Sequence, residues 1–256
     1  MANKSNKNSN QSSHKIPFPL ASLPAVLLPW YDREKRSLPW RDIVTPYRTW
    51  VSEIMLQQTR VQAVLPYFER FMSAAPDVPA LAELAEDRLL SLWQGLGYYS
   101  RARSLQRSAR VMVDQYGGCL PDTYSGLIQL PGIGDYTAGA ILSIAFNKAV
   151  PAVDGNVLRI AARLTACGDN VLDLRTRQHV RDALAAVMPT DRPGDFNQAM
   201  MDLGAAVCLP KNPNCESCPA ASLCAAKAAP GSSPMTVSRH ISSAMVRLVV
   251  MLIASK

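Results

Sequence analysis

The sequence predicts an all-α fold between residue 20 and about residue 227, and two observations carry this prediction. Apolar residues recur at spacings of three and four, which places them on one face of a helix. Gly, Pro and Asp divide the chain into segments of about ten to fifteen residues, a usual helix length. No segment here alternates apolar and polar residues as a half-buried strand does. The expected helices span residues 46–62, 63–73, 80–94, 100–116, 123–130, 135–146, 154–166, 174–188, 195–207 and 219–227.

The helix over residues 46–62 starts at a clear capping signal and carries a polar stripe. Thr45 is a favoured N-cap residue, and the proline after it suits the first helical position. Glu53, Gln57 and Arg60 would then share one face, opposite an apolar face. By itself the stripe is typical of a solvated Glu–Arg surface, so a chemical role for Glu53 needs other evidence.

The two ends of the chain differ in composition from the helical region. Residues 1–18 are rich in Asn, Ser and Lys and predict a disordered polar tail. Residues 230–234 (PGSSP) are typical of a linker. Residues 246–253 (VRLVVMLI) have the composition of a buried strand, although no second strand is present to pair with it. We therefore expect residues 230–256 to be a linker and the start of another domain.

The chain is basic, with 27 Lys and Arg residues against 20 Asp and Glu residues and a net charge of +7. Nineteen of the cations are Arg, whose planar guanidinium suits phosphate and stacks on rings. This bias favours a nucleic-acid partner, although an Arg-rich surface of no special purpose is also common. Residues 16–30 are apolar but contain four prolines and no cleavage site, and residues 248–254 are too short to cross a bilayer. We expect a cytoplasmic protein with no membrane contact.

Four of the six cysteines lie within seventeen residues, near the end of the helical region. Thiolates clustered in this way in a reducing compartment are typical of a zinc or iron–sulfur site rather than of disulfides. Only one pair is as close as in a zinc knuckle, and the spacing differs from that of ferredoxins, so both metals remain open. The four are Cys208, Cys215, Cys218 and Cys224, whereas Cys119 and Cys167 are expected to be buried small apolar residues.

Residues 123–146 predict two helices joined by a tight turn. Pro131 and Gly132 would end the first helix. Gly134 would let the chain turn without a Cβ clash, and Asp135 would cap the second helix. Free amides at such a turn form a nest for an anion, and glycines let a phosphate approach closely. An ordinary helical hairpin also uses glycine, so the motif by itself is only moderately specific.

Asp154 follows this hairpin after one short loop. It can serve as the N-cap of the helix over residues 154–166. The loop also places its carboxyl group near any phosphate that the hairpin holds. Position alone favours the cap, and the two roles are compatible.

Together, the cysteine spacing and the Leu-Pro-Gly-Ile-Gly turn resemble the endonuclease III superfamily of DNA glycosylases, over roughly residues 23–229. Residues 52–59 (SEIMLQQT) resemble the signature of its adenine-specific mismatch glycosylases, the MutY family. The resemblance extends, in the same order, to residues 38–41 (LPWR), 95–101 (GLGYYSR) and 196–204 (FNQAMMDLG).

The resemblance implies a fold and a cofactor. The fold is endonuclease III-like: a six-helix barrel domain over residues 44–148 contains the helix-hairpin-helix, and residues 19–43 and 149–229 form a helical iron–sulfur domain. The four clustered cysteines would ligate a [4Fe–4S] cluster. The family also usually carries a C-terminal Nudix-like domain that inspects 8-oxoguanine. Residues 230–256 would be its start, and a chain without it would discriminate less between 8-oxoguanine and guanine.

The resemblance also implies a reaction and its residues. A monomeric enzyme would hydrolyse, with acid assistance, the bond between deoxyribose and an adenine mispaired with 8-oxoguanine or guanine in double-stranded DNA. Glu53, which burial would keep protonated near neutral pH, would protonate adenine. Asp154 would stabilise the sugar cation with support from Asn156. The expected substrate and DNA contacts are the adenine-pocket residues Trp40, Arg41 and Gln198, the wedge residues Gln58 and Tyr98, and also Gln57, Gly132 and Gly134.

The competing prediction is the endonuclease III type, which removes oxidised pyrimidines and then cuts the strand through a Lys Schiff base. Tyr136 stands where the resemblance places that Lys, and the nearest Lys is Lys148, twelve residues on. Because Tyr cannot form an imine, we expect Tyr136 in the active site of a monofunctional enzyme that leaves an abasic site. A non-catalytic, cluster-bearing DNA-binding protein is the third alternative.

Overall fold

The computed structural model describes residues 20–167, 169–171 and 173–228 of the 256-residue chain. The predicted polar tail and the predicted linker and strand beyond residue 229 lie outside these residues. Within the described ranges no residue forms a strand, which confirms the all-α prediction. None of the helices in these ranges combines the length and the apolar character needed to span a bilayer.

The described residues form a series of α-helices joined by short loops. Their bounds are α1 Leu23–Glu34, α2 Pro39–Asp42, α3 Pro46–Leu56, α4 Val61–Ala74, α5 Val78–Glu83, α6 Glu86–Trp93, α7 Ser100–Tyr116, α8 Tyr124–Ile128, α9 Asp135–Phe146, α10 Gly155–Thr165, α11 Leu174–Val187, α12 Pro193–Asp202 and α13 Ala225–Ala228. Short 3-10 turns cover Leu20–Ser22 and Ala221–Leu223, and a π-helical turn over Leu203–Val207 continues α12.

The helix predicted over residues 46–62 is wrong at its end. The predicted start is confirmed, because the Thr45 side chain accepts a hydrogen bond from the Arg48 amide at 3.1 Å. The helix stops at Leu56, however, and Gln58 takes a left-handed φ of 59° that no helix continues through. Val61, which the predicted helix included, is instead the first residue of α4.

The helix predicted over residues 80–94 is also wrong, since two helices meet there. α5 ends at Glu83 and α6 begins at Glu86. The Gln106 amide, on α7, donates hydrogen bonds to the carbonyls of Leu81 and Leu84 at this break. These carbonyls therefore have a tertiary partner in place of a continuing helix.

Two buried apolar cores organise the described residues. The first lies among α2 to α9, and its largest fully buried side chains are Trp50, Phe68 and Trp93. The second is formed by α1, α10, α11 and α12. Helix α1, which precedes the first core in the chain, therefore packs with helices that follow the first core. Leu38 and Trp40 pack in the first core, and the predicted domain boundaries after residues 43 and 148 remain a prediction.

The predicted hairpin is present, with three corrections. Its first helix, α8, is only Tyr124–Ile128. Gly132 has the left-handed φ of 81° that favours glycine, whereas Gly134 has an ordinary φ of −107° and open space around its Cα. Gly134 is itself the N-cap of α9, and the Asp135 side chain makes no cap hydrogen bond.

Candidate active site

A cavity of about 560 Å³ is lined by side chains from both sides of the fold. It exists because α9 packs against α3 on one side and against α12 on the other. The cavity brings together seven of the residues singled out in the sequence: Trp40, Arg41, Glu53, Tyr136, Asp154, Asn156 and Gln198.

Glu53 comes from the middle of α3 and is only 6% exposed. A solvated Glu–Arg face is therefore wrong for this helix, and its expected stripe partners Gln57 and Arg60 lie beyond the helix end. Burial raises the pKa of Glu53 to about 7. The nearby Asp154 also raises this pKa, whereas hydrogen bonding by Tyr136 and the charge of Arg41 act in the opposite direction.

Asp154 is both the N-cap of α10 and a cavity carboxylate. Its Oδ1 accepts a hydrogen bond from the Val157 amide at 2.8 Å, and its Oδ2 accepts one from Asn156 Nδ2 at 2.9 Å. Burial raises the pKa of Asp154, and these two hydrogen bonds oppose the shift because they stabilise the ionised form. The carboxyl group is thus held in one orientation while it faces the cavity.

Gly204 leaves room for Asn156 beside this carboxylate. A Cβ atom at Gly204, in the π-helical turn after α12, would lie 2.8 Å from Asn156 Cβ. Such a contact is shorter than real Cβ atoms show, so a larger residue would displace Asn156. Gly204 is the last residue of the motif over residues 196–204, and the motif alone does not indicate this role.

Asn197 holds the segment that leads to Asp154. Its Oδ1 accepts a hydrogen bond from the Ala152 amide at 3.1 Å, and its Nδ2 donates to Ser143 Oγ at 2.7 Å and to the Val150 carbonyl at 3.0 Å. One buried side chain on α12 therefore joins α9 to the loop before α10. The sequence reasoning missed Asn197, although it directly precedes the predicted pocket residue Gln198.

Tyr136, the second residue of α9, lines the cavity. Burial and the charges of Glu53 and Asp154 raise the pKa of its hydroxyl well above the usual value, so Tyr136 is a neutral donor. No Lys of the described ranges lines this cavity. Lys148 lies elsewhere, in an exposed ion pair with Asp122 at 2.8 Å.

Asp202 is a further residue that sequence reasoning missed. Arg41 donates to its two carboxylate oxygens at 2.7 and 3.1 Å, and Arg36 donates to Oδ1 as well. The forked pair holds the Arg41 guanidinium at the cavity wall, where its charge acts on Glu53. The available signal was the spacing of four residues between Gln198 and Asp202, which puts both on one face of α12.

Residues 51–187, which include Glu53, the hairpin and Asp154, match the family described as HhH-GPD superfamily base excision DNA repair protein. This chain belongs to the HhH-GPD superfamily.

Relatives with curated names share much of this HhH-GPD protein. It is 47% identical over 209 residues to the adenine DNA glycosylase of Mus musculus, covering 78% of this chain and 41% of that protein. It is 47% identical to the human adenine DNA glycosylase over 210 residues, or 78% of this chain and 38% of that protein. For the Buchnera aphidicola (strain APS) adenine DNA glycosylase the identity is 41%, over 79% of this chain and 58% of that protein. The chain thus spans less than two thirds of these relatives' length.

Solved structures agree with the endonuclease III-like fold. A thermostable thymine-DNA glycosylase superposes with a TM-score of 0.76 at 26% identity, covering 82% of this chain and 96% of that one. A trapped endonuclease III–DNA covalent intermediate gives 0.68 at 22% identity, covering 82% and 97%. The predicted fold class is confirmed.

The two predicted wedge residues lie outside the cavity, on neighbouring loops. Gln58, in the loop between α3 and α4, is exposed with φ 59°. Tyr98, in the loop between α6 and α7, is 50% exposed with φ 49°. Gln57 lines a second cavity, of about 730 Å³, together with Gly134, and its Nε2 lies 3.5 Å from Thr137 Oγ1. Gly132 lies in the turn before Gly134, and Gly132 is not among the residues that line the second cavity.

The Asp135 carboxylate, at the first position of α9, has two partners across the hairpin. Tyr124 Oη donates to it at 2.6 Å, and Arg181 Nη2, on α11, donates at 2.8 Å. These hydrogen bonds lower the pKa of Asp135. An acidic side chain thus stands beside the free amides that the sequence reasoning assigned to a phosphate, with an arginine to offset its charge.

The four clustered cysteines form a half-buried loop against the second core. Burial raises the pKa of Cys218 to about 11, and the other three thiols add to this, so the four are neighbours. Arg163 Nη1 lies 3.2 Å from Cys208 Sγ, and Arg159 donates to the Cys208 carbonyl at 2.9 Å. Across residues 20–167, 169–171 and 173–228, no three Cys, His, Asp or Glu side chains are close enough to hold a single metal ion.

The two remaining cysteines are not the buried residues expected. Cys119 is exposed, in the loop between α7 and α8, and Cys167 is only partly buried. Both follow left-handed helix ends, at Gly117 and Ala166, where the chain turns outward.

Proposed function

We propose that this HhH-GPD protein is an adenine DNA glycosylase, which hydrolyses the bond between a mispaired adenine and its deoxyribose. One observation carries the proposal: the buried Glu53 and the partly buried Asp154 line one cavity, and both have raised pKa values. Two carboxyl groups in different environments are the usual catalytic groups of enzymes that cleave a glycosidic bond. The names of the curated relatives support adenine as the base.

Glu53 is the proton donor in this proposal. A purine leaves poorly until a ring nitrogen is protonated, so the acid must still carry its proton near neutral pH. A pKa of about 7 satisfies this condition, because roughly half of the Glu53 side chains are then protonated at neutral pH. Tyr136 and Arg41, which act on the same pKa, keep it from rising further.

Asp154 stabilises the positive sugar that remains when adenine leaves. Hydrogen bonds from the Val157 amide and Asn156 favour its ionised form despite burial. A carboxylate next to an oxocarbenium-like sugar lowers the barrier electrostatically, and water then completes the hydrolysis.

We further propose that the enzyme is monofunctional and leaves an abasic site. Strand cleavage by a glycosylase of the bifunctional type needs an amine that forms a Schiff base with the sugar. Tyr136 cannot supply one, and the amine of Lys148 is paired with Asp122 outside the cavity.

The partner is double-stranded DNA with adenine opposite 8-oxoguanine or guanine. Trp40, Arg41 and Gln198 form the adenine pocket, and Gln58 and Tyr98 enter the base stack beside the extruded nucleotide. The amides of the hairpin turn at Gly132 and Gly134 bind a backbone phosphate, with Gln57 at their side. Extrusion of a mispaired base costs less than extrusion of a paired one, which favours mismatches.

The four clustered cysteines fit a [4Fe–4S] cluster. The donor set is entirely thiolate, which suits iron–sulfur chemistry, and Arg159 and Arg163 beside Cys208 offset the negative charge of the thiolates. Cys208, Cys215, Cys218 and Cys224 would be the ligands of such a cluster. Bound there, the cluster would hold the loop rigid against the second core. Visible absorption, with iron and inorganic sulfide in equal amounts, tests this assignment, whereas zinc and a colourless protein would contradict it.

One assay separates the candidate activities. Duplexes with adenine opposite 8-oxoguanine, adenine opposite guanine, and thymine glycol are incubated with the protein, with and without later alkali. We expect free adenine from the first two duplexes, and strand breaks only after alkali. Release of thymine glycol, or breaks without alkali, would favour the endonuclease III type instead.

A further inference from the structure

Arg101, in the first turn of α7, is a buried cation. It is 9% exposed, and no carboxylate of the described residues forms an ion pair with it. Burial accordingly lowers the pKa of its guanidinium. A buried charge is costly unless polar groups replace its hydration, so other partners must stabilise the Arg101 guanidinium.

These partners belong to two loops and to the end of α3, which leads into the first of these loops. Nη1 donates to the carbonyls at the end of α3, namely those of Ile54 and Met55 at 3.0 Å each and that of Gln57. Nη2 donates to the carbonyls of Leu96 at 3.0 Å and Gly97 at 3.2 Å, and to Thr59 Oγ1 at 3.3 Å. The negative end of the α3 dipole adds to the attraction.

Each of these loops displays one exposed side chain from a left-handed residue. In the loop of residues 57–60 it is Gln58, with φ 59°, and in the loop of residues 94–99 it is Tyr98, with φ 49°. Left-handed φ is unfavourable for residues other than glycine, so the surroundings must impose it. Arg101 contacts the backbone directly before both residues, at Gln57 and at Gly97.

The ring contacts of Arg101 support the same reading. Its guanidinium lies 5.5 Å from the Tyr98 ring and 5.5 Å from the Trp93 ring. Trp93 Nε1 in turn donates to the Gly97 carbonyl at 3.1 Å. The Tyr98 side chain is thus located by the same cation that holds the other loop.

We infer that Arg101 is a positioning residue that fixes Gln58 and Tyr98 at one spacing, so that both side chains enter the DNA base stack together. The inference rests on the proposed function. It requires the forked guanidinium, because a lysine ammonium is a single point of attachment and cannot bind both loops in this way. Arg101 itself need not touch the DNA.

The test compares Arg101→Lys with a matched control, Gln106→Ala. Gln106 is buried on the same helix and donates to the carbonyls of Leu81 and Leu84, at the break between α5 and α6, where neither Gln58 nor Tyr98 lies. Three quantities are measured for each variant: the melting temperature, the affinity for a fully matched duplex, and the fluorescence of 2-aminopurine placed next to a mispaired adenine. The fluorescence rises when the base stack opens.

We expect Arg101→Lys to reduce the stack-opening signal and the preference for mismatched over matched duplex by about tenfold, since small misplacements have large effects. Affinity for matched duplex stays as in wild type. Gln106→Ala lowers only the melting temperature. In a protein that already lacks both wedge side chains, Gln58→Ala with Tyr98→Leu, Arg101→Lys has no further effect on stack opening.

The inference would be overturned if the fluorescence signal for stack opening were the same for Arg101→Lys as for Gln106→Ala. If Arg101→Lys does not fold, Thr59→Val decides, because it removes one contact of Nη2 from a partly exposed residue and is expected to shift the signal in the same direction. A wild-type protein that opens the stack but releases no adenine would contradict the proposed function and leave this inference standing.

Discussion

The carboxyl groups of Glu53 and Asp154 line one cavity, although 101 positions separate the two residues in the chain. They meet because α9 packs against α3, which carries Glu53, and leads directly into the loop that ends at Asp154. Each raises the energy of the other's ionised form, as the effect of Asp154 on the pKa of Glu53 shows. The two carboxyl groups differ in what acts on their pKa values. Two hydrogen bonds stabilise the ionised form of Asp154, whereas burial is the largest effect on the pKa of Glu53.

Neutral replacement of either carboxyl group should stop catalysis without preventing DNA binding. Glu53→Gln removes the acid and Asp154→Asn removes the negative charge, and each change should slow adenine release by roughly a hundred- to ten-thousandfold. Single-turnover assays give the rate, and a gel-shift assay with the same duplex gives the affinity. A non-catalytic DNA-binding protein would release no adenine with or without these substitutions. Unchanged adenine release in both variants would refute the assigned roles.

Glu53→Gln should also stabilise the fold at high pH. The folded pKa of about 7 exceeds the ordinary value of 4.5, so protonated Glu53 contributes stability below pH 4.5 that is lost as the pH rises to about 7. Above pH 7 the buried charge costs up to about 3 kcal/mol. Urea unfolding at pH 5, 6.5 and 8 should show that the free energy of unfolding of the variant increases relative to that of the wild type as pH rises. A difference that is constant across this range would contradict the shifted pKa.

Loss of the Asp202 carboxylate should destabilise the protein. Asp202→Asn leaves the charge of the mostly buried Arg41 without its forked partner, and breaking such a pair costs about 3 kcal/mol. Denaturant unfolding measures the change. The control is Arg103→Gln, which breaks an exposed pair with Glu86 and should cost less than about 1 kcal/mol. Equal losses in the two variants would show that burial of Asp202 is not decisive.

Asp135→Asn should strengthen binding to DNA. Asp135 places a negative charge beside the amides proposed to bind phosphate, and Arg181 compensates for it. Arg181→Gln should therefore weaken binding several-fold, and the double variant should regain most of that loss. Fluorescence anisotropy with one duplex at several salt concentrations measures these effects, which should diminish as salt rises. Weaker binding by Asp135→Asn alone would instead indicate that the pair orders the hairpin.

The sequence by itself determined the fold class, the capped start of α3 at Thr45, the N-cap at Asp154 and the family. These follow from local chemistry, because helical periodicity, capping side chains and motif spacing are all properties of neighbouring residues. The same local reasoning could not locate the end of α3, since Val61 continues its apolar pattern while the Arg101 guanidinium, from α7, binds the carbonyls where the helix stops.

Tertiary structure alone decided which candidate residues share a cavity and how burial shifts their pKa values. Glu53 has the sequence context of a surface residue, and its pKa near 7 arises only because α9 covers it and brings Asp154 close. Asp202, Asn197 and Gly204 acquire their roles from contacts with α2, α9 and Asn156, across separations of up to 161 positions. Burial and long-range charge interactions depend on packing between helices, which no local pattern encodes.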